Sequence, residues 1–108
     1  RTFCYIDDNI EACTKAFYEN KLINDVINIG GNVEVKILDL AKLIIRLTGS
    51  KSKIVFLPPL KEGDMRRRLP DNSKMTKLLQ RNLISLEDGI KNILEKGLFE
   101  YEKQKNHV

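Results

Sequence analysis

Residues 26–31 read Val26-Ile27-Asn28-Ile29-Gly30-Gly31. A short apolar run closed by two glycines predicts a strand buried on at least one face, then a tight turn. Working outward, Thr2 to Ile6 carries Phe3, Cys4 and Tyr5 and reads as a short strand. Asp7-Asp8 then offers an N-cap, and Ile10, Cys13 and Phe17 follow at helical spacing, which predicts an amphipathic helix over 8–20. Beyond the glycines, Val33 and Val35 alternate with Glu34 in a minimal strand. Ile37, Leu40, Ala41, Ile44 and Leu47 keep a helical period up to Thr48, stopped by Gly49. Ile54-Val55-Phe56-Leu57 is a further strand, ended by Pro58-Pro59. Asp71 or Asn72 caps a short helix through Leu79, with Met75, Leu78 and Leu79 inward. Ser85, with Asp88 three residues on, opens a last helix carrying Ile90, Ile93 and Leu94. Strands alternating with helices predict an α/β layer: a small mixed set of short strands with about four helices.

The 108 residues fit one domain, read as 1–97 with a charged, exposed tail over 98–108. With 42% apolar residues the chain is too apolar for a disordered tail, and a modest core is expected. No apolar run reaches the ~18–20 residues of a membrane helix, and no basic-then-apolar leader opens the chain. The expectation is therefore a cytoplasmic protein with no membrane partner. Arg1 standing where an initiator Met would stand reads as a piece of a longer polypeptide. Cys4 and Cys13 are expected as reduced thiols. With His107 in the tail as the one histidine, no metal site is expected.

The densest chemical signal is Lys61-Glu62-Gly63-Asp64-Met65-Arg66-Arg67-Arg68. Arginine presents a planar donor fork that matches phosphate oxygens. Gly63 lets backbone approach a ligand, and Asp64 is an acceptor suited to a ribose hydroxyl. The bland alternative is a solvated loop that keeps the protein soluble. Nucleic acid is disfavoured, because the net charge is only +4 and no aromatic residues interleave with the cations. Asp7-Asp8 suits helix capping better than acid–base chemistry. Gly30-Gly31 lacks the third glycine of a dinucleotide fingerprint.

Taken in order, these features resemble the C-terminal third of the extended short-chain dehydrogenase/reductases, the NAD-dependent sugar-nucleotide epimerases, dehydratases and decarboxylases. The residues that carry the resemblance are Arg1-Thr2-Phe3-Cys4-Tyr5-Ile6-Asp7-Asp8, Val26 to Gly31, Ile37-Leu38-Asp39-Leu40-Ala41 and Gly49-Ser50-Lys51. It continues through Ile54 to Pro58, Glu62-Gly63-Asp64, Arg67-Arg68-Leu69-Pro70-Asp71, Lys74 and Ser85 to Ile90. The Gly-Ser-Lys-Ser turn and the Arg-Arg-x-Pro-Asp ending are most similar to UDP-glucuronate decarboxylases and related epimerases.

The resemblance implies the C-terminal lobe of a Rossmann-type enzyme that binds a nucleotide-sugar, UDP-linked. It implies that Arg1 reaches the diphosphate, that Lys61 meets phosphate and Asp64 the ribose, and that Arg67 or Arg68 faces the nucleotide. In the parent, a homodimer, NAD would oxidise the sugar at its 4-position to a keto intermediate. The NAD-binding glycines and catalytic Tyr and Lys of the family lie upstream of Arg1, so this chain by itself is expected to be inactive and to hold no NAD. Tyr101 and Lys105 repeat the catalytic spacing, but they stand in the charged tail and read as coincidence. Two further departures are Lys36, where a helix-capping Ser or Thr is common, and Gln80 to Ile84 in place of a Gly-Trp-x-Pro stretch. A stand-alone basic module for an anionic partner such as nucleic acid is the rival reading.

Overall fold

Four amphipathic segments become helices, each for a local reason. In the computed structural model, residues 1–20 and 22–97 are described. Helix α1 spans Ile6–Tyr18, α2 Ile37–Thr48, α3 Ser73–Leu79 and α4 Leu86–Glu95. Ser85 caps α4, its hydroxyl accepting the Asp88 N–H at 3.1 Å. Gly49 ends α2 in the left-handed conformation, with φ of 63°. Ahead of α3, Asp71 Oδ1 accepts the Ser73 N–H at 3.0 Å. Lys36 stands at the N-cap of α2 and makes no side-chain cap bond.

Two expectations about α1 are corrected. It starts at Ile6, with Tyr5 as an N-cap that makes no side-chain bond, so Asp7 and Asp8 lie within its first turn and do not cap it. Asp8 is fully buried and turned inward. Its Oδ2 accepts the Ile84 N–H at 2.8 Å, and its Oδ1 lies 2.6 Å from Arg81 Nη1. Arg81 also grips Glu11, from Nε at 3.1 Å and Nη2 at 2.5 Å. The corner from Gln80 to Ile84 is thus tied to α1 by charge, with no tryptophan to pack it.

The expected α/β layer is also corrected. Among the described residues there is no strand and no sheet, Rossmann-type or otherwise. Residues 1–5, 26–35 and 54–57 carry the β-favouring side chains but lack ladder partners. One residue pair exchanges two backbone bonds: the Arg1 nitrogen donates to Val35 O at 2.9 Å, and the Val35 N–H to Arg1 O at 2.8 Å. Val55, Phe56 and Leu57 are 75, 78 and 82% exposed, so this run neither pairs nor packs. A strand is defined by its neighbour, and local propensity alone does not supply one.

Packing follows two helix pairs, α1 with α3 and α2 with α4. Ala12, Met75 and Leu79 form the buried centre of the first pair, with Cys4, Ile27, Ile29 and Leu83 packed on it. Between α2 and α4 lies an apolar cavity of about 640 Å³, bordered by Phe3, Tyr5, Leu40, Ile44, Ile90 and Ile93. Its lining has no charged group to orient a polar ligand. Gly31 makes the crossing of residues 1–5 possible, because a Cβ there would stand 2.1 Å from Phe3 O. Both cysteines are free, Cys4 half-buried and Cys13 exposed. No described helix is long and apolar enough to cross a membrane.

Candidate functional site

The two-bond exchange between Arg1 and Val35 sets the geometry of the charged loop. It brings the 34–36 stretch beside Arg1, ahead of α2. Residues 64–67 of the loop come up opposite. Together they border a groove of about 690 Å³ whose charged side chains are Arg1, Glu34, Lys36, Asp64, Arg66 and Arg67. Gly63 precedes this wall with φ of 80°, a left-handed backbone that a residue with a Cβ adopts at a cost.

Two of the arginines are held by carboxylates. Arg1 donates from Nη2 to Asp64 Oδ1 and from Nη1 to Met65 O at 2.6 Å. Arg67 takes Glu34 with both arms of its fork, Nε to Oε1 at 2.9 Å and Nη2 to Oε2 at 2.5 Å. The hydrogen bonds from Arg67 hold the Glu34 carboxyl below the ordinary value of 4.5, and the Arg67 guanidinium is raised in turn. A guanidinium that meets a carboxylate in this way presents the same donor pair to two oxygens of a phosphate.

Three of the five residues singled out from the sequence, Arg1, Asp64 and Arg67, meet in this groove. Arg68 turns elsewhere: it borders a shallow depression with Thr2, Ile29 and Pro70, and its Nε lies 3.2 Å from Met65 Sδ. Lys61 is exposed and does not border the groove. Sequence reasoning missed Glu34 and Lys36 as groove residues. The available signal was the alternation of Val33-Glu34-Val35, which turns the glutamate away from the face of the two valines. Tyr101, Lys105 and His107 lie outside the described residues.

Among the described residues, the glycine pair forms no dinucleotide cradle for NAD. The close approach at Gly31 is taken by the Phe3 backbone, and no helix opens after the glycine pair until Ile37. A dinucleotide cradle needs that space and that helix start.

No family model and no solved structure matches the chain. Proteins similar in sequence do exist. A putative GDP-L-fucose synthase 2 from Arabidopsis thaliana is 35% identical over 95 residues, which is 88% of this chain and 28% of that protein. A UDP-N-acetyl-alpha-D-glucosaminuronate decarboxylase from Bacillus cytotoxicus is 35% identical over 101 residues, 88% of this chain and 31% of that protein. UDP-glucuronic acid decarboxylase 1 from Danio rerio is 33% identical over 108 residues, 99% of this chain and 25% of that protein. The chain spans 25 to 31% of the length of these relatives. It is by sequence a homologue of part of the sugar-nucleotide enzymes of the extended short-chain dehydrogenase/reductase family.

Proposed function

We propose that this chain is the nucleotide-sugar-binding portion of an NAD-dependent sugar-nucleotide decarboxylase or epimerase, and that the groove takes the diphosphate of a UDP-linked sugar. One observation carries the reading. Arg1, Asp64 and Arg67, far apart in sequence, converge on one groove, and both guanidinium forks are presented to oxygen acceptors. In this reading Arg1 and Arg67 contact the diphosphate and Asp64 accepts from the ribose. Lys61 and Arg68 belong to the same loop and stand outside the groove lining. Hydride transfer belongs to other parts of the parent in this reading, since the described residues present no dinucleotide cradle. The names of the decarboxylase relatives support a UDP-linked substrate. Free thiols at Cys4 and Cys13 support a reducing compartment such as the cytoplasm.

Titration of the chain with UDP-glucuronate, followed by NMR, tests the proposal. The backbone amide signals of Asp64 and Arg67 and the guanidinium signals of Arg1 and Arg67 are expected to move together and to saturate. If those signals ignore UDP-glucuronate and respond instead to a short RNA or DNA, the groove is a basic patch for another anion and the reading fails.

A further inference from the structure

We infer that Lys36 is an additional phosphate-contacting residue of the groove. The inference rests on the diphosphate-binding reading above and adds a cation that the resemblance does not assign. Lys36 follows directly on Val35, whose backbone is pinned to Arg1 by bonds of 2.8 and 2.9 Å. Its own carbonyl accepts the Leu40 N–H at 3.0 Å, which fixes its backbone at the start of α2. Its side chain performs no capping role there, although the N-cap is where a short polar side chain would do so. A lysine at this position forgoes the cap and gives the groove wall a long, mobile cation.

The charge balance shows what that cation is for. Within the groove, Asp64 neutralises Arg1 and Glu34 neutralises Arg67. Lys36 and Arg66 also border the groove and have no ionic partner among the described residues. Arg66 belongs to the loop already read as nucleotide-facing. Lys36 comes from the other segment that borders the groove, so both segments contribute excess positive charge to it. A diphosphate linking a nucleoside to a sugar carries two negative charges, one on each phosphate. Arg1 and Arg67 meet it through N–H groups that Asp64 and Glu34 do not engage, so the groove accepts it without either carboxylate leaving its arginine.

The test is calorimetric titration of the chain with UDP and, separately, with inorganic pyrophosphate, at two salt concentrations. Lys36→Gln is expected to weaken both ligands about tenfold and to flatten the salt dependence of binding. Lys36→Arg is expected to restore most of the affinity. Lys42→Gln, on the same helix and outside the groove, should change neither. If Lys36→Gln binds pyrophosphate and UDP as Lys42→Gln does, Lys36 is not a contact and the inference is overturned. If pyrophosphate binds through Lys36 but UDP binds no more tightly, Lys36 stands and the nucleotide reading falls. Binding of neither ligand by the unaltered chain overturns both.

Discussion

Asp8 reaches across the molecule to the backbone of Ile84, accepting its N–H at 2.8 Å from a fully buried carboxylate. The same side chain meets Arg81 at 2.6 Å. One residue in the first turn of α1 therefore positions the corner that leads into α4. Because α4 packs on α2, and Lys36 is the N-cap of α2, this anchor also steadies one wall of the groove.

Replacing Asp8 removes the acceptor of a sheltered amide and leaves Arg81 with Glu11 as its one carboxylate partner among the described residues. Leaving a buried donor unpaired costs about 1–3 kcal/mol. Asp8→Ala is expected to lower stability by about that amount, read as a lower urea midpoint. Asp8→Asn keeps one acceptor oxygen and should lose less. Equal midpoints for the alanine variant and the unaltered chain would contradict the anchoring role.

Gly31 tests the crossing that builds the site. A Cβ there would meet Phe3 O at 2.1 Å, and both atoms belong to main chain or its first substituent, so neither can swing away. Gly31→Ala is expected to push residues 1–5 off the 30–31 turn, at a cost of about 1–3 kcal/mol. The Arg1–Val35 exchange should loosen with it. Hydrogen exchange at the Val35 amide is the readout, and unchanged protection would show that the two segments tolerate separation.

Much of the chain's organisation was legible because helices are local. The periods of Ile37 to Thr48 and of Met75 to Leu79, and the Ser85–Asp88 cap, mark α2, α3 and α4 within a residue or two. Strands were not legible in the same way. Ile54 to Leu57 has the composition of a strand, yet its ladder partner is no property of the run itself, and the segment stands exposed. Asp8 was misread for a related reason. An acidic residue before an apolar period suits a cap, and nothing local reveals that an amide 76 residues away needs its oxygen. In the loop, arginine chemistry pointed to the groove. The choice of Arg67 over Arg68 depends on Glu34, 33 residues earlier.

The two thiols should differ in reactivity. Burial chiefly, then the nearby Asp8 carboxylate, pushes the Cys4 thiol above its ordinary value. Cys13 is exposed on α1. Because the thiolate is the reacting form, an alkylating reagent at neutral pH is expected to label Cys13 first and Cys4 several-fold more slowly. Tandem mass spectrometry of the 2–15 tryptic peptide, which holds both cysteines and is fragmented to locate the label, reads the order after brief exposure to iodoacetamide, and faster labelling of Cys4 would place it outside the core.

Glu34 provides a pH signature of the groove. Its pKa is lowered, first by the hydrogen bonds from Arg67 and further by the charge of the same guanidinium. A carboxylate depressed in the folded state contributes stability at pH values above its unfolded value, here the ordinary 4.5, and that contribution is lost as pH falls through the lowered folded value. Arg67 stays charged throughout, so the whole effect belongs to the glutamate. The pair is exposed, and its stabilising effect is correspondingly small and screened by salt. The titration midpoint is the sharper observable. Carbon-detected NMR of the Glu34 side-chain carboxyl should give a midpoint below 4.5, moving up towards it in Arg67→Gln. Saturating UDP is expected to leave that midpoint low, because a diphosphate met by Lys36, Arg66 and the Arg67 N–H groups that Glu34 does not engage leaves the Glu34–Arg67 pair in place. A rise of the Glu34 midpoint on UDP addition would show that the phosphate takes Arg67 by displacing the carboxylate.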